Sequence, residues 1–365
     1  MKIIGIVTHN NSGGAQKAMA KLQTECSNKA IDFGVIYLYG DSQDTSMKNG
    51  IFLADKQSFV LVRYLVSVVK LIQYLVHQKP DAVICFLPLA NLLGALSAWL
   101  VGIPNRLISH RNPVSSYQPI LRWCDRLIGA TPVYTAVICN SNAVKDSLSR
   151  YAKSYQKKIR IVYNCVESIQ QTGRTLTIRQ QLNLPKQNKM ILSVGRLEHQ
   201  KNYHFALNVL TQVNQANLVI AGHGSLLSEL EDYAAQLGVS DRVTFLGAQP
   251  SDKVRTLLGE CDLYIQTSTF EGQSNALLEA MASACPIVSS DIAAQREVLT
   301  DSNQAEIGVL LTLESAQNWA REINKLLFDS HRLKHLSESS FARSQSFTPS
   351  AMAEGFLAAL AEARI

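Results

Sequence analysis

Short apolar runs separated by longer amphipathic stretches recur along the whole chain. Runs of about four to eight residues rich in Val, Ile and Leu read as buried strands, and stretches with apolar residues every third or fourth position read as helices. The pattern predicts strands over Lys2–Val7, Asp32–Tyr39, Asp81–Phe86, Asn105–Ser109, Ala136–Cys139 and Ile159–Tyr163, with helices between them such as Gly14–Asn28 and Ser141–Tyr151. A second series has strands over Met190–Val194, Asn217–Ala221, Arg242–Leu246, Asp262–Thr267 and Ile287–Ser290. Strands alternating with helices of about ten to fifteen residues imply parallel sheets covered on both faces. The expected fold class is α/β, with two doubly wound parallel-sheet domains facing across a cleft.

Between the two series Glu167–Lys189 is dominated by polar residues, which marks it as the interdomain connection. At 365 residues and 40.2 kDa the chain is long for one core. The division is then 1–166, a linker over 167–188, 189–345, and a terminal segment 346–365. Phe59–Gln78 is very apolar, yet Arg63, Ser67, Lys70 and His77 fall on one helical stripe. Either the helix packs on the first sheet with that stripe in water, or it lies in a membrane interface with its cations toward headgroups. No run of 18 apolar residues lacks a charge, so no membrane span is expected. The opening MKIIGIVTHN has an apolar run too short for a signal peptide and reads as a first strand.

Charge changes this picture. The net charge of +6 conceals 19 Lys+Arg against 8 Asp+Glu in residues 1–165, and 16 against 21 in residues 166–365. A basic first half implies that it faces something anionic, such as a phosphorylated molecule or a phospholipid surface. Nucleic acid is disfavoured, because no reader motif accompanies the charge. The seven cysteines form no CxxC pair, and Cys85, Cys139 and Cys261 sit in apolar runs. Scattered thiols of this kind point to a reducing, cytoplasmic compartment and to structural roles, and neither they nor the dispersed histidines suggest a metal.

Candidate chemistry concentrates where strands end. FEGQSNALLEAM, from Phe270 to Met281, follows a predicted strand and opens a helix, with Glu271 in the turn and Glu279 eight positions on in the helix. Ligands of open α/β sheets bind at such carboxyl ends, beside helix N-termini that attract anions. One carboxylate can meet hydroxyls there while the helix start holds a phosphate. GRLEHQKN places Arg196 and Lys201 after another strand, a fork and a point charge suited to a diphosphate. Glycine turns occur at Gly13-Gly14, Gly195 and Gly222, but the dinucleotide fingerprint Gly-x-Gly-x-x-Gly is absent.

GRLEHQKN, AGHGSLLSELE, VTFLGAQP and EGQSNALLEAMA resemble the retaining family-4 glycosyltransferases of the GT-B fold, the glycosyl transferases of group 1. These elements run in family order from Ser193 to about Leu299. SGGAQKA, His110 in ISHRN and Asn164 in VYNCVE extend the resemblance through the first domain. It implies two Rossmann-like domains, a nucleotide-sugar donor bound mainly by the second, an acceptor bound mainly by the first, and a last helix over Ser350–Ala363 crossing back. Arg196 and Lys201 would bind the donor diphosphate, Glu271 the hydroxyls of the transferred sugar, Glu279 the ribose, and His110 the sugar near the transition state. Donor contacts would also come from Gly13, Gly14, Asn164, Gly195, Gly222, Gly247, Gln273, Ser274, Asn275 and Ala276. No cofactor and no metal are expected, since Asp41-Ser-Gln-Asp44 has the wrong spacing for a metal-binding Asp-x-Asp. Departures from the family pattern include His223 and Cys165, and Ser283-Ala284-Cys285 and Ala293-Ala294 where glycine is common.

Arg106, Arg111, Arg122, Trp123 and Arg126 form the expected basic and aromatic patch on the acceptor side. The expectation is a retaining, metal-independent hexosyltransferase moving a hexose or N-acetylhexosamine, from a UDP-sugar first and GDP-mannose second. The acceptor would be a polyprenyl-diphosphate-linked glycan in surface polysaccharide, O-antigen or lipopolysaccharide assembly. The enzyme would be peripheral on the anionic inner face of the cytoplasmic membrane. The alternatives are a nucleotide-sugar 2-epimerase on the same fold and a non-catalytic nucleotide-sugar-binding subunit.

Overall fold

Each strand predicted above is present in the computed structural model, which describes residues 1–10, 13–40, 51–55, 59–167, 177–300 and 306–363. The chain divides into two compact units, Met1–Cys165 with Pro349–Ile365, and Val166–Thr348. The Asp41–Asp44 loop, Asn11-Ser12 of the first glycine turn, and residues 168–176 of the expected linker lie outside the described residues.

The first unit opens with β1 (Lys2–His9), α1 (Gly14–Asn28), β2 (Asp32–Gly40), β3 (Ile51–Asp55) and α2 (Val60–Gln78). There follow β4 (Ala82–Phe86), α3 (Pro88–Leu100), β5 (Asn105–His110), α4 (Pro119–Gly129) and β6 (Ala136–Cys139). Two short helices, α5 (Asn142–Ser147) and α6 (Lys153–Gln156), precede β7 (Ile159–Ile161). The helix expected over Ser141–Tyr151 is therefore shorter. Ser141 caps it by accepting from Val144 N at 3.1 Å, and the chain leaves it at Leu148, which turns inward to the core.

The second unit contains α7 (Thr177–Gln181), β8 (Lys189–Val194), α8 (Tyr203–Leu210), β9 (Ala216–Ala221), α9 (Leu227–Gln236) and β10 (Val243–Phe245). It continues with α10 (Ser251–Glu260), β11 (Leu263–Gln266), α11 (Asn275–Ala282), β12 (Ile287–Ser290), α12 (Ala293–Leu299) and β13 (Val309–Leu311). Helices α13 (Ala316–Phe328) and α14 (Ser330–Ser344) complete it, and α15 (Pro349–Glu362) belongs to the first unit. The expected linker is already packed on the second unit at α7. There Ile178 is buried, its N–H donates to Glu260 Oε2 at 2.8 Å, and Arg179 pairs with Asp262 at 2.8 Å.

Both sheets are parallel, in the orders β3-β2-β1-β4-β5-β6-β7 and β10-β9-β8-β11-β12-β13. The order reverses direction at β1/β4 in one and at β8/β11 in the other, the positions where open α/β sheets form a crevice at their carboxyl edge. In the first unit α2 and α3 cover one face through Leu71, Leu75, Ala95 and Ala98, and α4 adds the partly buried Leu121, Cys124 and Ile128. The other face is covered by α1 and α15, with Met19, Leu22, Met352 and Phe356 buried and Phe356 against Phe86 at 5.6 Å. Burying a side chain of Phe356's size contributes about 1.5–3 kcal/mol, so α15 is part of this core in energy as well as position. In the second unit Trp319 is fully buried and donates from Nε1 to Thr312 O at 2.7 Å.

Helix α2 splits the expected polar stripe between the sheet and the outside. Ser67 is fully buried, donating to Leu38 O of β2 and to Arg63 O, both at 2.7 Å, while Arg63 lies over the Tyr39 ring at 4.4 Å. The side chains left outside include a large apolar set, Phe59, Val62, Leu65, Val66, Val69 and Val76, beside Lys70, Gln73 and His77. The expected polar stripe in water is corrected in part by a hydroxyl and a guanidinium that find partners on the sheet side, although Lys70 and His77 remain exposed.

Ala284 adopts φ +53, a left-handed conformation that glycine occupies at no steric cost. Its carbonyl accepts from Ser337 Oγ at 2.6 Å, which holds the turn between α11 and β12 in place. Ala284→Gly is expected to raise stability by roughly 0.5–1 kcal/mol, the left-handed penalty less the entropy glycine adds to the unfolded chain. Urea unfolding checks this through a higher midpoint at an unchanged slope.

Candidate active site

The carboxyl ends of β8 and β11 carry the densest polar constellation of the second unit. After β8 the chain passes through Gly195 and Arg196 and makes one tight turn over His199–Lys201. It then enters α8 through Asn202 in the left-handed region at φ +52. A side chain at Gly195 would collide with the Lys201 stem, so the glycine lets Lys201 fold back across it. Lys201 Nζ pairs with Glu271 Oε1 at 2.6 Å. The two turns are stitched by backbone as well: Thr269 N donates to Gln200 O at 2.9 Å, and Thr267 Oγ1 reaches Lys201 O and Asn202 O at 2.9 and 3.0 Å.

Glu271 is 7% exposed and satisfied on both oxygens. Besides Lys201, Oε1 accepts from Ser268 Oγ at 2.8 Å and Gln266 Nε2 at 3.1 Å, and Oε2 accepts from Gln200 Nε2 at 3.1 Å. Gln266, at the end of β11, is the hub. Its side-chain Oε1 accepts from Tyr264 OH and from Ser274 Oγ, both at 3.1 Å. Ser274 is in turn the N-cap of α11, accepting from Leu277 N at 3.3 Å. One buried amide thus fixes the carboxylate and the helix start relative to each other. Sequence reading passed over Gln266; the available signal was a polar amide closing an otherwise apolar strand, where burial demands partners.

The other expected donor positions surround this hub. Arg196 is exposed after β8; Gln273 is buried; Asn275, Ala276 and Glu279 are half-buried on α11. Gly195, Gly222 and Gly247 follow β8, β9 and β10, and hydrogen bonds join their turns: Gly195 N to Ala221 O at 3.0 Å, and Gly222 N to Gly247 O at 2.8 Å. A Cβ on Gly222 would lie 1.8 Å from Gly195 O, so this glycine is needed for close approach of two backbones. Gly247 sits at φ +66. Among the described residues no group of three or more His, Cys, Asp or Glu side chains is placed to hold a metal ion.

In the first unit the expected residues separate. Gly13 is the N-cap of α1 with Gly14 beginning the helix, next to the β1/β4 reversal. His110 ends β5, as expected, and is fully buried, with Nδ1 3.1 Å from Tyr117 OH and Nε2 2.7 Å from Tyr155 OH. Tyr155 OH donates to Asp125 at 3.1 Å, so it accepts from His110, which is the Nε2–H tautomer. Burial pushes the His110 imidazole down and the Asp125 carboxyl up. The cause is the direction of β5, which aims this side chain at the tyrosine cluster.

The basic patch also needs correction. Arg106 is buried and donates to the carbonyls of Val133, Pro104 and Pro132 at 2.8 Å each, tying down the segments before β5 and β6. Arg111 is buried over the Phe86 ring at 4.8 Å and bonded to Asn164 Oδ1, and desolvation lowers it to about 10. Guanidinium groups of this kind are internal braces. Arg122, Trp123 and Arg126 remain exposed on α4.

Two family models match, Glycosyltransferase Family 4 over residues 38–168 and Glycosyl transferases group 1 over 175–343. The chain is 25% identical over 269 residues to the lipopolysaccharide core biosynthesis glycosyltransferase LpsE of Rhizobium meliloti, covering 72% of this chain and 70% of that one. It is also 25% identical, over 100% of its length and 99% of the relative's, to an α-1,4-N-acetyl-D-galactosaminyltransferase of Campylobacter jejuni. That relative's name gives a diphospho-undecaprenol-linked glycan as its substrate. Three further relatives match over only 36, 44 and 57% of their own lengths. Among solved structures, Anabaena HepE in complex with UDP and glucose superposes with a TM-score of 0.86 at 20% identity, over 99% of this chain and 100% of that one. With both units accounted for by these two models, the chain belongs to the family 4, group 1 glycosyltransferases and has their GT-B fold.

Proposed function

We propose that this glycosyltransferase moves a hexose or N-acetylhexosamine from a nucleoside-diphosphate sugar to a sugar hydroxyl of a polyprenyl-diphosphate-linked glycan, with retention and without a metal. UDP is the favoured nucleotide and GDP the second. The observation that carries the reading is the Lys201–Glu271 pair held by Gln266 at the ends of β8 and β11. It sets a cation, a carboxylate and the start of α11 at the reversal point of the sheet, so a diphosphate and a sugar hydroxyl are met side by side. Lys201 and the exposed Arg196 supply positive charge where the leaving diphosphate gains negative charge. Because those cations can take that load, the reading needs no divalent ion. Glu271 accepts from sugar hydroxyls, and Glu279, further along α11, from the ribose. The UDP complexes of Anabaena HepE support UDP, and the undecaprenol-linked substrate named for the Campylobacter relative supports the acceptor class. A retaining course follows if the departing phosphate assists attack on the face it leaves.

Thermal shift measurements with UDP, GDP and ADP, with and without EDTA, test the donor. At a hundredfold excess over Kd the right nucleotide should add about 2.7 kcal/mol, undiminished by EDTA. Loss of the shift in EDTA would remove metal independence, and no shift with any diphosphate would remove the donor reading.

Lys201→Ala is expected to lower kcat by about 10²–10³-fold, with partial recovery in Lys201→Arg. Steady-state kinetics with a UDP-sugar and lipid-linked acceptor check this. Free UDP released at full rate with no acceptor would favour the 2-epimerase instead.

Gln266→Glu keeps the shape of the hub but sets a second carboxylate against Glu271. Donor affinity in that variant should fall below the parent's, because a second carboxylate beside Glu271 opposes the incoming diphosphate. Calorimetric titration of UDP into the two proteins decides it, and a variant that binds as tightly as the parent would remove Gln266 from its positioning role.

A further inference from the structure

We infer that the outer face of α2, α3 and α4 docks on an anionic lipid bilayer. The inference goes beyond the transfer reaction, since neither donor nor acceptor enters it. These helices lie side by side on one face of the first sheet. Large apolar side chains dominate the outer surface of α2 beside the exposed Lys70, Gln73 and His77, with Leu65 60% and Val69 54% exposed and Phe59 at its start 78% exposed. Val62, Val66, Val69 and Val76 recur at intervals of four, three and seven, so they form one stripe, interrupted by the exposed Gln73, opposite the buried Ser67, Leu71 and Leu75. The next helices extend it: α3 ends in the exposed Trp99 and Leu100, and α4 exposes Ile120, Trp123 and Leu127.

Charge decides what fits this face. Helices α2 and α3 contain no Asp or Glu, and the one acid of α4, Asp125, is buried. The exposed charges on the three helices are cationic, with Lys70 on α2 and Arg122 and Arg126 beside Trp123 on α4. Apolar stripes edged by cations and tryptophans, with no exposed acid, match the hydrocarbon boundary and phosphate layer of an anionic leaflet. Among the described residues no helix is long and apolar enough to cross a membrane. The helices would lie on the surface and not span it.

The test uses the full chain and sedimentation with vesicles of phosphatidylcholine, alone or mixed with phosphatidylglycerol. The parent protein should pellet with the mixed vesicles and release as salt rises. R122Q/R126Q should weaken that binding roughly thirtyfold, from about 1 kcal/mol per surface cation, and leave binding to neutral vesicles little changed. L65S/V69S/W123S should abolish binding to both. Each variant should keep the parent's unfolding temperature and its UDP-induced shift, which separates lost docking from lost fold or lost donor site. A parent protein that stays in the supernatant with anionic vesicles overturns the inference. So does binding that survives the triple variant, or a concentration-dependent dimer broken by L65S/V69S without vesicle binding, which would give the face to a second copy of the chain.

Discussion

A buried carboxylate organises the second unit. Taking Glu271 out of water costs several kcal/mol unless its charge is paired and its lone pairs are filled. Four donors meet that requirement, Lys201 and Gln200 from the turn after β8, and Gln266 and Ser268 from the end of β11. Their convergence is possible only if the two turns sit side by side. That condition explains the backbone bond from Thr269 to Gln200, the left-handed Asn202 and the glycine under the Lys201 stem. Removing any one member strands another, so the unit keeps its geometry as a set.

The first sheet has the same strand order with one further strand, β7, but places its polar residues differently. His110, Asp125 and the tyrosines around them close on each other inside the unit, and Tyr155 shares its hydroxyl between the imidazole and the carboxylate. Arg106 and Arg111 turn inward to carbonyls, an amide and a ring. Arg106 divides its charge among several backbone carbonyls, whereas Arg111 has one amide oxygen and a π face, and its Nη1 is buried with no partner. The basicity of residues 1–165 is therefore expressed on the surface by other lysines and arginines, including those that edge α2 and α4.

Much of this was legible in the sequence, for identifiable reasons. Buried parallel strands are apolar throughout, so β1, β4 to β6, β8, β9, β11 and β12 stand out. The strands missed, β3 and β13, are edge strands whose partly exposed residues carry a weaker pattern. The Glu271 and Glu279 spacing was readable because a turn followed by a helix fixes both positions locally. Gln266 was not, since its partners Tyr264, Ser268, Glu271 and Ser274 become neighbours only when β11, its turn and α11 fold around it. His110 and Arg111 read as strand-end residues, which they are; the direction of their side chains depends on tyrosines and an asparagine from distant segments.

Helix α2 shows the limit of periodicity most clearly. Its polar residues do share a stripe, and the usual inference puts such a stripe in water. That inference assumes the sheet beneath is wholly apolar. Here β2 offers the carbonyl of Leu38 and a ring at Tyr39, so Ser67 and Arg63 gain partners by facing inward. Leu71 and Leu75 fill the rest of the contact. An apolar helix has more apolar residues than one sheet face can cover, and the surplus on α2 lies on its outer side beside that of α3 and α4. The same two inward contacts that anchor the helix thus determine which of its residues are left for an outside partner.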